Sequence, residues 1–359
     1  MTSVSIASEP DGLLIVRLGA MGDVIHTLYA VSALRAAFPA LRMGWAIEEL
    51  WAELLCASGT DRSGPRSPSR PVVDCVHPLN TKVWRRSLAA RKTWREMASE
   101  FRAIRGQHYQ VATDFQGAIK SAMVARSARA QLTIGMEDPR ERASRLFYQQ
   151  RVLTQGTHVI EQYRLLAQAT AGAVLPSVRP EFPCDHQAEA RVAKRLGDVP
   201  GNLVILNPGA GWGAKQWPAE RYGLVAKALA ADGMTPIINF HSTERDLALQ
   251  VEAASEGRAV PMASTIGELI ALTRHARLFV GGDTGPMHLA VALGIPVVAI
   301  FGPTDPARNG PYGTKSVVLR NPASRTSLSH TRGPDPGLEL ITAAQVLGAA
   351  RQLLERSDG

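Results

Sequence analysis

Only three cysteines, Cys56, Cys75 and Cys184, occur in 359 residues, far apart and without the spacing of metal ligands. Thiols so placed read as reduced and cytosolic, not as a disulfide frame. No cysteine–histidine cluster suggests zinc. The chain also contains no Asp-x-Asp, the commonest sequence hint of a metal bridging a nucleotide diphosphate. The usual sequence hints of a bound metal are thus absent, and no cofactor is expected. Long apolar runs are missing too. "LAVALGIPVVAIFG" is broken by Gly294 and Pro296 and is too short to span a bilayer. The opening "MTSVSIASEPDG" is polar and carries acids, unlike a secretory leader. A soluble, cytoplasmic chain is expected. Acids are in deficit, 32 against 40 lysines and arginines, for a formal charge of +8. That balance suggests an acidic partner: nucleic acid, an anionic membrane face or a phosphorylated substrate. Charge alone leaves all three open.

What is present is ordinary globular composition, 45% hydrophobic, with enough length for two domains. Short apolar runs alternate with helical patterns. "LLIVRL" precedes "VIHTLYAVSALRAAFP", and "QVATDFQG" precedes "AIKSAMVARSA". Later, "LVILNPG", "TPIINF", "LFVGGDTG" and "IPVVAIFG" keep the rhythm. This alternation predicts an α/β fold with parallel sheets and crossover helices, one doubly wound sheet per half. The changeover is expected in "TAGAVLPSVRPEFPCD" (170–185), rich in Pro and small residues. "SGTDRSGPRSPSRP" (58–71) reads as a flexible loop. Ligands of such folds sit at the carboxyl ends of the strands.

Several motifs fall at those ends. "GGDTGPMHLA" (281–290) reads as strand, tight turn and helix, with Pro286 suited to the helix start and Asp283 or Thr284 able to cap it. The amides near Gly285 would suit a pyrophosphate. A capped turn without a ligand is the plainer alternative, and His288 on the same helix either packs or binds. "DTG" in this setting does not read as an aspartic-protease motif. "LNPGAGWGAKQWPAERY" (206–222) is a glycine-rich turn that is neither GxGxxG nor a P-loop. Lys215 stands at its mouth, as a phosphate partner or as a surface lysine. Glu244, in "NFHSTERDLA", suits a ribose-binding acid or a dipole-complementing one. Gln116 and Lys120 lie where a strand turns into a helix. The stretch 81–105 carries Lys82, Arg85, Arg86, Arg91, Lys92, Arg95, Arg102 and Arg105 against Glu96 and Glu100, with Trp84 and Trp94 interleaved. An anionic membrane surface or phosphorylated lipid head, a nucleic-acid patch and a solvated helix face all fit. Finally, "RLGAMGDVIHTL" (17–28) puts Asp23 in the first helical turn behind a glycine loop, where an anion would repel phosphate. Either that loop holds no phosphate or the carboxylate has a chemical task.

Taken together, "RLGAMGDVIHTLYAVSALRAAFP", "DFQGAIKSA", "NPGAGWGAKQWPAERY" and "GGDTGPMHLAVALGIPVVAIFGPTDP" resemble the ADP-heptose:lipopolysaccharide heptosyltransferases, glycosyltransferase family 9. "GMEDPRERASRLFYQQRV" and "HVIEQYRLLAQA" add a likeness to the heptosyltransferase I branch, and the match runs from about Leu13 to about Tyr312. The resemblance implies a GT-B architecture, two Rossmann-like domains with parallel sheets facing across a cleft. Its boundaries here would be 1–175 for an acceptor-binding domain, 185–340 for a nucleotide-sugar-binding domain and 341–359 for a C-terminal helix. It implies inverting, metal-independent transfer of L-glycero-D-manno-heptose from ADP-heptose to the Kdo of Kdo2-lipid A. Carried over by motif, Asp23 is the general base; Lys215, Glu244, Asp283, Thr284, Gly285 and His288 hold the ADP part. Gly22, Lys120, Arg140, Arg85 and Arg86 would serve the acceptor. The partners implied are the donor, the lipid acceptor and the cytoplasmic face of the inner membrane, met by 81–105, and not nucleic acid.

From chemistry alone His26 rivals Asp23 as base, three residues on along roughly the same helix face, with an intrinsic pKa of about 6.5. The resemblance favours Asp23. The competing classes are another GT-B glycosyltransferase, a nucleotide-sugar epimerase, and a non-catalytic nucleotide or nucleic-acid module. A nicotinamide dehydrogenase is disfavoured, because the first loop is G-x-x-G-D and not G-x-G-x-x-G.

Overall fold

The computed structural model describes residues 11–87, 89–197, 201–327, 333 and 335–355. The amino-terminal stretch read above as too polar for a leader lies mostly outside them. The chain divides into two compact units, Met1–Cys184 and Asp185–Gly359.

The first unit holds β1 (Gly12–Val16), β2 (Arg42–Glu48), β3 (Cys75–Leu79), β4 (Val111–Asp114), β5 (Leu132–Met136) and β6 (Gln150–Val152). They form one parallel sheet in the order β3-β2-β1-β4-β5-β6. The second holds β7 (Leu203–Asn207), β8 (Thr235–Phe240), β9 (Val260–Ala263), β10 (Ala276–Gly282), β11 (Val297–Phe301) and β12 (Ser316–Arg320). Its order, β12-β11-β10-β7-β8-β9, repeats the pattern of the first, again all parallel. Both are the doubly wound dinucleotide-binding order, in which the connections reverse direction beside the first strand. That switch point lies between β1 and β4 in one unit and between β7 and β10 in the other.

The strands are apolar runs because both faces are covered. Alternation divides β7 between two cores: Val204 and Leu206 pack with Trp217, Tyr222 and Ile238, while Leu203 and Ile205 pack with Phe279 and Met287. Burying each such aliphatic side chain contributes about 1.5–3 kcal/mol. The helix Ala343–Glu355 packs on the helix Ala219–Ala231 within the second unit, through Val346, Ala350 and Leu353.

Two expectations need correction. The segment 58–71 is ordered around Arg70, a buried arginine whose guanidinium donates to the carbonyls of Asp61, Gly64, Pro65 and Val73. An isolated bridge pairs Ser67 with Arg70. The segment also reaches the end of its unit: Cys184 N donates to Pro68 O at 2.9 Å, and Ser69 Oγ donates to Cys184 O at 3.1 Å. A composition rich in Pro, Ser and Gly concealed one arginine that satisfies four carbonyls. Secondly, 81–105 is not one face with two displayed tryptophans. It forms two helices, Thr81–Arg86 and Arg91–Gly106. Trp84 is buried against Phe101 and belongs to the core, whereas Trp94 is exposed.

Candidate functional site

In the first unit, β1 ends at Val16 and the helix Met21–Ala37 begins four residues after Arg17. Asp23 lies in its first turn, where the helix dipole favours an anion. Its Oδ2 is 2.6 Å from Arg17 Nη2, and the carboxylate side chain keeps 40% exposure while that of Arg17 keeps 6%. Ala20 N also donates to Asp23 Oδ2, at 3.3 Å. Arg17 is the neighbour of Asp23 that sequence reasoning missed. Its Nη1 donates to Phe115 O at 2.7 Å and to Tyr163 Oη at 2.8 Å, and its guanidinium lies over the Tyr163 ring. Burial alone would lower its pKa; Asp23 and Tyr163 outweigh that and raise it. No helical or strand period links Arg17 with Asp23, because the pair closes across a loop. Gly22 is half-buried beside Asp23. His26, the rival base, is buried, its ring edge-on to His158 with centroids 6.1 Å apart.

Across the switch point, Gln116 Oε1 accepts from Leu18 N at 2.9 Å and so ties the loop after β4 to the loop after β1. The turn after β4 is built on Asp114. Its carboxylate, raised in pKa by burial, accepts from Gln116 N, Gly117 N, Ser121 Oγ and Tyr148 Oη. Gly117 has φ +67°, and a Cβ there would meet Pro139 at 2.9 Å and the backbone N of Arg140 at 3.1 Å. Only glycine lets the 137–141 loop close on this turn. Arg140 thus reaches the same edge by its backbone. Lys120 is half-exposed, with Nζ 3.8 Å from Glu48. Arg85 and Arg86 are exposed on the short helix after β3.

The second unit repeats the arrangement with the opposite charge. The loop after β7 carries Lys215, and the turn after β10 carries Asp283. Lys215 Nζ donates to Asp283 Oδ2 at 2.6 Å and to Asp283 O at 3.2 Å, and lies 5.0 Å from the Trp212 ring centroid. His288 Nε2 meets Asp283 Oδ1 at 3.0 Å. Burial would raise the Asp283 carboxyl; His288 and Lys215 overcome it and hold the group well below the usual carboxylate range. The helix Gly285–Ala292 begins after Thr284, yet neither Asp283 nor Thr284 caps it with a side chain. Thr284 Oγ1 donates backward to Gly282 O. Asp283 is thus the counter-ion of Lys215 and a hydrogen-bond partner of His288, where the sequence suggested a cap. Glu244 closes a turn after β8, its Oε2 accepting from His241 N at 3.0 Å. Its carboxylate lies against the glycine loop: a Cβ on Gly209 would sit 2.4 Å from Glu244 Oε1. Sequence proximity cannot join 209, 215, 244 and 283; the strand order does. Among the described residues, no group of three or more His, Cys, Asp or Glu is placed to hold a metal ion, and no helix is long and apolar enough to cross a membrane.

Comparison with known proteins follows the same lines. The model of glycosyltransferase family 9 (heptosyltransferase) matches residues 97–333, more than half of the chain. Lipopolysaccharide heptosyltransferase 1 of Pseudomonas aeruginosa is 29% identical over 318 residues, 86% of this chain and 83% of that protein. Its counterpart in Escherichia coli K12 is 28% identical, covering 86% and 93%. Among solved structures, E. coli heptosyltransferase WaaC with ADP-2-deoxy-2-fluoro heptose aligns with a TM-score of 0.73 at 25% identity, over 96% of this chain and 99% of that one. A UDP-N-acetylglucosamine 2-epimerase from Listeria monocytogenes aligns at 0.53 and 9% identity, over 97% and 89%, a likeness of fold alone. Two sheets in GT-B order, the paired switch-point loops and a family match across both units lead to one conclusion: this chain is a glycosyltransferase that belongs to family 9, the heptosyltransferases.

Proposed function

We propose that the chain transfers L-glycero-D-manno-heptose from ADP-heptose to the Kdo of Kdo2-lipid A, with inversion and without a metal ion, in assembly of the lipopolysaccharide inner core. The names of the relatives, and the ADP-sugar analogue bound by WaaC, support the donor and the lipopolysaccharide acceptor. One observation carries the division of labour. The switch point of the first sheet presents an accessible carboxylate, and that of the second presents a cation beside a helix start.

In this reading Asp23 takes the proton from the acceptor hydroxyl as that oxygen attacks the anomeric carbon. The bond from that carbon to the diphosphate breaks on the opposite face, and ADP leaves with its charge. Hydroxyl acidity rises as the new bond forms, so a carboxylate suffices as base. Asp23 is open where His26 is buried, which supports the former in the role. Arg17 fixes the carboxylate's direction. Asp283 orients Lys215 and His288; two of the three ammonium N–H groups serve Asp283, and the third is left for a phosphate oxygen. The amides around Thr284 and Gly285 complete the cradle, and Glu244 serves the ribose. These fixed dipoles and the ammonium would stabilise the leaving diphosphate. Gly22, Lys120, Arg140, Arg85 and Arg86 serve the acceptor's anionic sugars. The helix Arg91–Gly106, with exposed Arg91, Lys92, Arg95, Arg102 and Trp94, meets the anionic inner-membrane face.

The test is transfer from ADP-heptose to Kdo2-lipid A in EDTA, read as one added heptose by mass. Turnover should persist under chelation. Asp23→Asn should lower it by about 10²–10⁴-fold with ADP-heptose affinity nearly unchanged. Strict dependence on magnesium, or an Asp23→Asn variant at full rate, rejects the mechanism.

A further inference from the structure

An asparagine pair closes the carboxyl ends of β7 and β8. Leu206 pairs with Ile238 across these strands, so Asn207 and Asn239 are the next pair in register. Both side chains are buried. By alternation they continue the rows of Leu203 and Ile205 on one strand and Ile237 on the other, which pack together in an apolar core. The topology does not call for amides there. In the first unit, built on the same strand order, the matching strand ends at Val16, whose partner on β2 is Ala46, and both are fully buried.

The two amides form a relay. Asn239 Nδ2 donates to Asn207 Oδ1 at 2.7 Å, and Asn207 Nδ2 donates to Gly209 O at 3.0 Å. A carbonyl only accepts, so the Gly209 oxygen fixes the orientation of both amides in turn. The relay ends at Asn239 Oδ1, which is buried and has no hydrogen-bond partner among the described residues. An orphaned acceptor in a core costs stability. The pair is therefore a poor brace for the interior, and it is explained by what it holds at its other end, the Gly209 carbonyl. The peptide between Gly209 and Ala210 is trans, so its C=O and N–H point in opposite directions. With the oxygen drawn inward to Asn207, the Ala210 N–H points away from the core. Burial agrees: Gly209 is buried and Ala210 half-buried.

We propose that Asn207 and Asn239 are positioning residues for the donor. They act through the backbone: the relay holds the Gly209 carbonyl inward and so presents the Ala210 N–H to the donor's diphosphate, on the loop that also carries Lys215. The inference rests on the donor reading given above and deepens it by naming what orients the glycine-rich turn.

An Asn207→Leu/Asn239→Leu variant of the full chain removes both amides, and the orphaned oxygen with them, at similar volume. Circular dichroism should show it folded, since the first unit carries an apolar pair at the same place. Its ADP dissociation constant and its KM for ADP-heptose should rise about ten-fold, the scale of one lost hydrogen bond to a charged group. Its kcat at saturating donor and its KM for the acceptor should stay unchanged. ADP should slow hydrogen exchange at Ala210 in the unaltered chain and not in this variant. Asn239→Leu alone leaves Asn207 to hold Gly209 O, and should raise the donor KM by less. The inference is overturned if the folded double variant binds ADP as the unaltered chain does, or if kcat falls and the acceptor KM rises together with the donor loss. It is overturned as well if only the melting temperature falls, since the pair is then a brace after all. An unaltered chain that binds no ADP rejects the donor reading and the inference with it; equal ADP binding by the unaltered and variant chains rejects the inference alone.

Discussion

Asp23 and Arg17 meet across a tight loop, and Arg17 is held through both terminal nitrogens: Phe115 O, Tyr163 Oη and the Tyr163 ring hold the guanidinium that holds the carboxylate. A planar fork serving several acceptors is only partly replaced by an ammonium. Arg17→Gln should therefore lower kcat for sugar transfer by about 10²-fold, while the ADP dissociation constant, which the proposed function sets in the other unit, stays within error. Arg17→Lys should recover part of the loss. A kcat unchanged in Arg17→Gln, or an ADP affinity that falls with it, would contradict a positioning role. His77 gives a separate pH test in the same unit. Burial holds its pKa at about 4 against an ordinary 6.5, with Nε2 2.8 Å from Tyr109 Oη. The unfolded chain takes up this proton below pH 6.5, the folded chain only near pH 4. Stability is thus complete above the unfolded value and declines as pH falls toward the folded one, by up to about 3 kcal/mol. Urea unfolding at about pH 7.5 and about pH 5 should show a smaller acid loss in His77→Gln than in the parent. Equal losses would remove His77 from the explanation.

At the scale of elements, the loops that follow strands carry the candidate site residues, and their glycines are explained by what comes close to them. Gly209 is the clearest case, with the Glu244 carboxylate lying where a side chain would begin. Gly209→Ala should displace that carboxylate from His241 N. Because the obstructed atoms are the flexible end of Glu244, the melting temperature should move little. ADP binding measured by calorimetry should weaken by about 1–2 kcal/mol, the range of a lost hydrogen bond. Normal affinity in this variant would show that Glu244 has no part in holding the nucleotide. Elements were also where the sequence was most and least legible. Alternating apolar runs and helical patterns revealed the βα rhythm, since period and length are local properties. "GGDTGPMH" and "NPGAGWGAK" were recognisable because a turn between strand and helix has its own residue chemistry. The order of 58–71 was hidden: one buried arginine outweighs a stretch of turn formers. The burial of Trp84 was hidden likewise, because a tryptophan among arginines looks the same in sequence whether it faces solvent or Phe101.

At the scale of the whole chain, two sheets carry the same strand order, and Asp23 in one, Lys215 and Asp283 in the other, follow strands of the central pair. Residues 17 and 163, or 215 and 283, are joined by topology over long separations, which is why motif spacing could suggest the candidates but not their partners. If the second unit alone holds the nucleotide, ADP at about 100 times its dissociation constant adds about 2.7 kcal/mol of stability. Hydrogen exchange on the full chain should then show new protection at 207–217 and 282–292, with β1 and the helix Met21–Ala37 unaltered. Protection appearing first around Arg17 and Asp23 would reverse the assignment of the two units. The repeated order has an evolutionary consequence. In the proposed division of labour, recognition of each reactant rests on a few connecting segments mounted on a separate scaffold, so one sugar preference can drift while the other is kept. Exchanging the segments after β7 and β10 between homologues should therefore retune the donor, and exchanging those after β1 and β4 the acceptor, without rebuilding either interior.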